Sequence, residues 1–289
     1  GELQVGDQVF DEAGAIRNVV AAFDVMHGHQ CYRVSFSDGT SVVPDAEHLW
    51  VTSALRPGTP KGPKPPDAAR KYRPAVRTTA EIARTLRMPA SMSRHPQPKW
   101  NHRIDIAGAL STPQATLTIP PYVLGCWLGD GNSADARMTV SRQDWQIVRE
   151  IEAEGISVAE RPVIDRAPRI ILGGGDRTAA ACRDSLQAKL RALRLLGQKH
   201  IPSAYLRASR QQRADLLQGL MDTDGHIAHS GQCELSLCNA RLAEDALELI
   251  RSLGLKARIR SADAKLYGRV VNTRHRITFW PVAPVFRLA

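Results

Sequence analysis

Aromatic residues and cysteines are scarce in this sequence, and it has no long apolar run. Aromatic side chains make up 5% of the 289 residues, and the five cysteines lack the paired spacing of a zinc site or a disulfide scaffold. No segment approaches the ~18 apolar residues of a membrane span, and no signal-peptide pattern opens the chain. We therefore expect a reduced, cytoplasmic protein with no membrane segment. Since single cores rarely exceed ~250 residues, the length favours two domains.

Charge is distributed very unevenly along the chain. Residues 1–55 carry 2 basic and 8 acidic residues, residues 56–103 carry 12 basic and 2 acidic, and the remainder carries 25 basic and 19 acidic. The net charges of these segments are therefore −6, +10 and +6, which add to the total of +10. The first segment repels a polyanion and the other two attract one, so the sequence is compatible with binding to nucleic acid.

The segment from Gly1 to Leu55 alternates short apolar runs with turns. This spacing predicts a small all-β unit that is marginal as an independent domain. The predicted strands are Gln8–Phe10, Val19–Phe23, Cys31–Phe36 and Ser41–Val43.

Residues 56–118 form a basic, proline-rich segment. The six prolines between Arg56 and Pro74 favour an extended, solvated chain. The apolar spacing after Thr78 predicts one short helix that ends before Pro89. We interpret the whole segment either as a linker or as an arm that lies along DNA.

An internal repeat follows Pro120. Each copy has an apolar helix closed by Asp-Gly, a strand, an amphipathic helix, a glycine and a further strand. The first copy is predicted at Tyr122–Gly131, Arg137–Val140, Asp144–Glu154 and from Ile156 onwards. The second is predicted at Leu216–Gly225, Cys233–Leu237, Ala240–Leu253 and from Lys256 onwards. The two Asp-Gly ends lie 94 residues apart (224 minus 130), a plausible length for one αββαββα unit.

The two apolar helices share the positions of a glycine and an acid. Gly125 precedes Asp130 by five residues, and Gly219 precedes Asp224 by the same interval. A glycine inside a helix costs about 1 kcal/mol relative to alanine, so its recurrence indicates a close approach of the two helix backbones. Such a contact would bring both carboxylates together, where a divalent cation such as Mg²⁺ would offset their repulsion. An Asp-Gly pair also occurs as a simple helix cap and turn.

These two stretches, Val123–Gly131 and Leu217–Gly225, resemble the nine-residue motif of the LAGLIDADG homing endonucleases in their single-chain, two-motif form. The second copy matches closely, whereas the first departs at Leu128 and Gly129. The resemblance implies double-strand DNA cleavage, with Asp130 and Asp224 as the catalytic acids that bind Mg²⁺ or another divalent cation such as Mn²⁺.

The block Gln198–Pro202 resembles the family's Lys-x-Ile-Pro block, which assigns Lys199 to the attacking water. In this family, the strands after each motif present alternate side chains to the major groove. The DNA-contacting candidates are therefore Arg137, Thr139 and Ser141 in the first half and Glu234, Ser236 and Arg258 in the second. A one-residue change of register would invert this selection.

Residues 1–52 resemble the N-terminal half of a Hint protein-splicing domain. His48 matches the histidine of the Thr-x-x-His block of inteins, with Asp45 in place of the threonine. Trp50 is similar to its counterpart in variant inteins of bacterial and phage replicative helicases. A histidine and a tryptophan at a strand end also serve as packing residues. The end of the chain, Phe286–Ala289, does not match the His-Asn ending of an intein, so we expect no autonomous splicing.

We thus predict an α+β protein with a pseudo-two-fold αββαββα LAGLIDADG endonuclease domain and a small all-β, partial Hint segment. The predicted domains are residues 1–55, 56–118 and 119–285, the last comprising pseudo-repeats 119–200 and 201–285. The expected partners are a double-stranded DNA target in the intein-less allele, a missing C-terminal Hint segment and the host protein, with the chain itself a monomer. Two alternatives remain: a DNA- or RNA-binding descendant that no longer cuts, and a splicing-element fragment with an inactive LAGLIDADG domain.

Overall fold

A computed structural model of the chain describes residues 2–55, 72–87, 100–161, 167–173 and 185–288. The chain divides into two compact units, the first comprising residues 1–7 and 18–106 and the second residues 8–17 and 107–289. Helices and antiparallel strands occur together, so the predicted α+β class is confirmed. Among the described residues, no helix is both long and apolar enough to cross a membrane.

The described elements are numbered here in chain order. The strands are β1 (Gln8–Phe10), β2 (Ile16–Asn18), β3 (Val34–Ser35), β4 (Ser41–Val42), β5 (Leu49–Leu55), β6 (Tyr72–Thr78), β7 (His102–Arg103), β8 (Arg137–Thr139), β9 (Val158–Arg161), β10 (Arg169–Leu172), β11 (Gly225–Ile227), β12 (Cys233–Leu237), β13 (Ala257–Leu266) and β14 (Arg269–Phe279). The helices are α1 (Thr79–Arg84), α2 (Pro121–Asp130), α3 (Gln146–Ala153), α4 (Leu186–Ala192), α5 (Ser203–Leu206), α6 (Arg210–Asp224) and α7 (Ala240–Ser252).

The first unit contains two small antiparallel sheets, β3-β4 and β6-β5-β7. Helix α1 follows β6 directly, and its first turn is fixed by a capping box in which Thr78 and Glu81 exchange hydrogen bonds. The predicted short helix after Thr78 is therefore confirmed. The unit continues to Ile106, past the predicted boundary at residue 55, because β5 pairs along its whole length with β6. Residues 56–71 and 88–99 of the predicted linker or arm lie outside the described residues.

The strands predicted between Gly1 and Leu55 are only partly right. Strand β1 matches its prediction, but β2 occupies Ile16–Asn18 in place of the predicted Val19–Phe23. The reason lies in the turn, where the Asp11 carboxylate accepts hydrogen bonds from the backbone N–H groups of Ala13 and Ala15. This tight turn brings Ile16 and its neighbours opposite β1, so the pairing begins before the predicted start at Val19.

The second unit contains the repeat. Its first half forms the three-stranded antiparallel sheet β8-β10-β9, and its second half forms the four-stranded antiparallel sheet β11-β12-β14-β13. In the strands, the residues facing the core alternate with residues outside it, as the burial of Cys233, Leu235 and Leu237 in β12 shows. Every predicted helix and strand of the repeat is present, with ends shifted by a few residues. Helix α6 begins at Arg210, six residues before the prediction. The αββαββα pattern calls for paired strands, but β10, β11 and β14 had no predicted position in the sequence.

Helices α2 and α6 cross at the two predicted glycines. A Cβ atom placed on Gly125 would lie 3.0 Å from the Cα of Gly219 and 2.9 Å from the backbone nitrogen of Leu220. A Cβ atom on Gly219 would lie 2.8 Å from the nitrogen of Cys126 and closer still to the carbonyl oxygen of Tyr122. Because the neighbouring atoms belong to the backbone, they cannot rotate away. The predicted helix-interface role of Gly125 and Gly219 thus has a direct steric basis.

Replacing Gly219 with alanine tests this contact. Alanine favours a helix by about 1 kcal/mol over glycine, whereas forcing a methyl group into a packed interface costs typically about 1–3 kcal/mol. We expect steric overlap with backbone to dominate, so Gly219→Ala lowers the free energy of unfolding measured by urea titration. Glu244→Ala, at an exposed position of α7, serves as the control and leaves stability nearly unchanged. A Gly219→Ala variant more stable than the wild type would contradict the close approach of the helices.

Candidate active site

The two predicted acids stand at equivalent ends of the crossed helices. Asp130 is the last residue of α2, and Asp224 is the last residue of α6. The carboxylate oxygen Oδ2 of Asp224 lies 3.3 Å from the position that a Cβ atom on Gly129 would occupy. One carboxylate therefore contacts the last turn of the helix that carries the other, as expected from the glycine contact.

The electrostatics of the pair reflect this proximity. Burial of its carboxyl, together with the charge of Asp224, raises the pKa of Asp130 to about 6, while Lys199 opposes the shift. Burial also raises the pKa of Asp224, again opposed by Lys199. Without a cation, the protein therefore resists the fully ionised form of this pair.

Lys199 lies at the same helix end, between the two halves of the repeat. Its ammonium donates hydrogen bonds to the carbonyl oxygens of Leu128 and Gly129, each at 3.0 Å, and sits 5.1 Å from the centre of the Trp127 ring. These carbonyls end α2, where a positive charge is favoured by the helix dipole. Burial lowers the pKa of Lys199 to about 8, against the opposite effect of the two aspartates. The predicted constellation of two acids and one lysine is therefore assembled in space.

The chain segment that carries Lys199 is fixed to α7. The backbone N–H of Ile201 donates to the carboxylate of Asp245, and the side-chain amide of Asn239 donates to the carbonyl oxygen of Lys199. Ile201 itself is buried in the core of the unit. Since the backbone is held at and beyond the lysine, its ammonium is positioned by the fold rather than by its own flexibility.

The donor set at the helix ends fits a hard divalent cation. Among the described residues, no group of three or more His, Cys, Asp or Glu side chains is placed to hold a metal together. Asp130 and Asp224 would thus supply only part of a coordination sphere. This agrees with Mg²⁺, which usually keeps several waters and takes one or two carboxylates together with substrate phosphates. Mn²⁺ favours the same oxygen ligands.

The third motif acid has a different environment. The Asp222 carboxylate accepts hydrogen bonds from the Tyr122 hydroxyl at 2.8 Å and from the backbone N–H groups of Arg287 and Leu288. The Arg287 guanidinium in turn pairs with Glu154 at 2.8 Å and contacts the face of Tyr122. Asp222 therefore anchors the C-terminal segment to α6.

The exposed faces of the two sheets carry the predicted DNA-contacting residues. In the first half, Arg137 and Thr139 are exposed on either side of the buried Met138, and Ser141 follows in the same alternation. In the second half, Glu234 and Ser236 alternate with the buried residues of β12. The sequence left the register open, and the structure places all of these side chains on the face away from the core.

Several basic residues on the same faces were missed because no positions were assigned to β10 and β14 from the sequence. Arg169, in the central strand β10, pairs with Thr139 of β8 on one side and with Arg161 of β9 on the other. A cavity of about 300 Å³ is lined by Asp130, Arg137 and Arg169 together with neighbouring residues. In the second half, Thr278 of β14 pairs with Glu234 of β12 on one side and with the predicted Arg258 of β13 on the other. Arg276 pairs in the same way with Ser236 and Arg260. The alternation of Arg274, Arg276 and Thr278 with other residues was the available signal for β14.

His48 and Trp50 are neighbours in the first unit. Their ring centres lie 4.8 Å apart in an edge-on arrangement, and the indole N–H of Trp50 donates to the Thr79 hydroxyl at 2.9 Å. That hydroxyl donates to the carbonyl oxygen of His48. Asp45, which replaces the family's threonine, accepts a hydrogen bond from the His29 ring at 2.7 Å. Neither Thr79 nor His29 was singled out from the sequence, since both pairings join distant segments.

Comparison with known proteins identifies a family for part of the second unit. Residues 211–279 match the model of the LAGLIDADG-like domain family. A crystal structure of I-DmoI in complex with DNA and Ca aligns with 56% of this chain and 82% of its own, at 12% identity and a TM-score of 0.36. The N-terminal LAGLIDADG domain of DUF199/WhiA aligns with 56% of this chain and 78% of its own, at 10% identity and a TM-score of 0.31.

Two curated relatives are replicative DNA helicases. The whole chain is 38% identical, over 293 aligned positions, to the replicative DNA helicase DnaB of Mycobacterium intracellulare, of which it covers 45%. A shorter stretch is 49% identical over 53 residues to the replicative DNA helicase DnaB of Mycobacterium leprae (strain TN), covering 18% of this chain and 9% of that protein. The chain thus spans less than half the length of the curated relatives that it matches.

The raised pKa of Asp130 predicts a pH-dependent effect on stability. A carboxyl whose folded-state pKa lies above the ordinary value stabilises the fold at low pH, and this contribution is lost as the pH rises through about 6. We therefore expect Asp130→Asn, in EDTA, to raise the melting temperature relative to the wild type at pH 8 and to have less effect at pH 4. The Asp130 side chain is exposed on one side, so the increase will be small.

Glu244→Gln provides the control for the loss of one negative charge. It lies on an exposed face of α7, outside the helix ends. The Asp130→Asn effect should therefore exceed that of Glu244→Gln at pH 8. Equal changes in melting temperature for the two variants at both pH values would refute the electrostatic coupling at the helix ends.

Proposed function

We propose that the second unit is a site-specific, metal-dependent double-strand DNA endonuclease of the homing type. The observation that carries this proposal is the convergence of Asp130, Asp224 and Lys199 at the adjoining ends of α2 and α6. Two equivalent acids suit the cleavage of two antiparallel strands, because a duplex also has local two-fold symmetry. The match of residues 211–279 to LAGLIDADG-like domains supports the same assignment.

In this proposal, Asp130 and Asp224 hold Mg²⁺, or another divalent cation such as Mn²⁺. The cation would supply charge neutralisation at the scissile phosphate and a more acidic bound water. The partly desolvated carboxylates gain from such a cation, since it offsets both the burial and the repulsion from Asp224 that raise the pKa of Asp130. Both acids therefore bind and orient, and neither needs to carry a proton.

Lys199 contributes a positive charge and a further donor. An ammonium has three N–H groups, of which two are directed to the carbonyls of Leu128 and Gly129. The third is available to orient the attacking water or to stabilise negative charge that develops on the phosphate. Because two hydrogen bonds fix its position, this donor needs little reorganisation when the substrate binds.

The exposed sheet faces supply the DNA-binding surface. Arg137 and Arg258 lie on exposed strand positions, accompanied by Thr139, Glu234 and Ser236. Arginine can pair with guanine in the major groove or contact phosphates, and hydroxyl groups contact either. A face that alternates basic and polar residues provides both affinity and sequence discrimination. Ser141 continues this face in the first half.

A second candidate function concerns the first unit. The 38% sequence identity between the whole chain and a replicative helicase favours an intein context. In that context, residues 1–55 belong to a Hint splicing domain. The ring contact between His48 and Trp50, and the hydrogen bonds of both residues with Thr79, support a structured site at the predicted splicing position. In that case the nuclease acts on the helicase gene that lacks the insert, and the host protein and the remaining Hint segment are further partners. The alternative is a fragment whose LAGLIDADG domain binds DNA without cutting.

Asp224→Asn separates cleavage from binding. The substitution removes a proposed metal ligand without removing a sheet residue, so we expect cutting to be abolished while DNA affinity stays within about tenfold of the wild type. The assay uses a supercoiled plasmid that carries the helicase gene with the sequence encoding this chain removed. Linear product is measured with Mg²⁺ and with EDTA, and affinity is measured on the same site as a short duplex.

Glu244→Gln should cut like the wild type, because it also removes one negative charge but lies on the exposed face of α7. Wild-type cutting rates in Asp224→Asn would show that this acid only ends a helix. Specific binding by the wild type without any linear product in Mg²⁺ would support the non-cutting alternative.

A further inference from the structure

The two halves of the second unit differ in the length of one hairpin. In the first half, β9 and β10 pair outward from Val158 opposite Leu172. In the second half, β13 and β14 pair outward from Ala257 opposite Phe279. Both hairpins follow an amphipathic helix and a glycine with positive φ. Comparison of the spans 158–172 and 257–279 shows that the second hairpin is longer by about four residues on each arm, or about 13 Å.

The outer part of the long hairpin lies outside the core. From Arg260 to Lys265 and from Tyr267 to Arg274, every residue is exposed except the half-buried Ala264. Tyr267, at the turn, is 97% exposed. An isolated two-stranded ribbon is at best marginally stable in water, so a ribbon of this length is expected to have a partner.

The ribbon is basic, and one pair of like charges lies at its base. Arg260, Lys265, Arg269 and Arg274 are accompanied by one acid, Asp263. At its base, Arg260 stands directly opposite Arg276. Like charges at opposed positions of a sheet repel each other, and a polyanion would remove this cost. The major groove of duplex DNA admits a two-stranded ribbon, so the partner's charge and its shape both fit.

The ribbon reaches away from the catalytic acids. Strand β11 begins directly after Asp224, and β13 lies three strands away, or about 14 Å across the sheet. Strand β12 pairs with β14 no further than His275, and Gly268 at the tip lies seven residues beyond it, or about 23 Å along the strand. These strand spacings place the tip on the order of 25 Å from the end of the sheet at which cleavage is proposed.

We propose that the outer part of the β13–β14 ribbon, from Arg260 to Arg274, binds the outer flank of the DNA target. The shorter counterpart in the first half makes no such contact, so the ribbon binds on one side of the target only. The target site is therefore asymmetric, with base pairs contacted further from the cut on the side of the second half. This inference rests on the proposed DNA-binding function of the sheet faces. The corresponding span in the first half, from Val158 to Leu172, has eight fewer residues than Ala257–Phe279 and is therefore too short to reach the equivalent flank.

The experiment selects DNA from a pool of duplexes with about 40 random base pairs and maps protection of the selected site with hydroxyl radicals. One variant replaces Ala264–Asn272 with Asn-Gly, which closes a two-residue hairpin between Asp263 and Thr273. It should lose protection and base preference at one end of the site, while the centre and the opposite end are unchanged. Thermal unfolding of the variant confirms that the domain is intact.

A second variant keeps the hairpin and removes only charge. Lys265→Ser with Arg269→Ser should reduce the slope of log affinity against log salt by about 1.8, at roughly 0.9 per phosphate contact. The matched control, Arg191→Ser with Arg241→Ser, removes two exposed cations from α4 and α7 and should leave the slope unchanged.

Identical protection by the wild type and the shortened variant would overturn the ribbon's role and leave the proposed endonuclease standing. Loss of protection at both ends would also overturn it, because the contact would then not be one-sided. Failure of the wild type to select any sequence would instead count against the proposed function itself.

Discussion

The contact between Gly125 and Gly219 sets the geometry on which the site depends. Each glycine precedes its acid by five residues, so the crossing point lies at the same height below both helix ends. The two backbones meet with no side chain between them, and the carboxylates are brought together by the same contact. A larger residue at either glycine would separate the helices and therefore the acids. The fold thus accepts the helix-propensity cost of two glycines in order to place two charges side by side.

Helix α6 is held at both ends by arginines that the site itself does not use. Near its start, the fully buried Arg213 donates to the carbonyl oxygens of Ala208, Ser252 and Leu110. Near its other end, the Asp222 carboxylate accepts a hydrogen bond from the backbone N–H of Arg287 in the C-terminal segment. Burial lowers the pKa of Arg213, but its hydrogen bonds to carbonyl oxygens satisfy the guanidinium. These two fixed ends leave the destabilising carboxylate pair little freedom to move apart.

The repeat could be predicted from the sequence because its signals are local. Helix ends, glycine spacing and alternation lie within a few residues of each other, and so both motif helices and β12 were placed well. The start of α6 was placed six residues too late, although Ser209 and Gln212, which form a capping box, were a local signal for it. Pairings between distant segments were not readable, which is why β10 and β14 and their arginines were missed. The basic segment shows a second reason for error. Its prolines predicted an extended chain, yet Pro74 lies within β6, an edge strand that tolerates a proline because one side needs no donor.

The departure of the first motif from the family pattern also has a packing explanation. Its seventh position is Gly129, where the second motif has Thr223. A Cβ atom on Gly129 would overlap the Thr223 side chain, whose hydroxyl donates to the carbonyl oxygens of Gly219 and Leu220. A threonine on one helix therefore requires a glycine on the other, so the two copies can be complementary only by being different. Asymmetry at the helix crossing and asymmetry in hairpin length are both what a single chain permits, because each half of its repeat can change independently of the other.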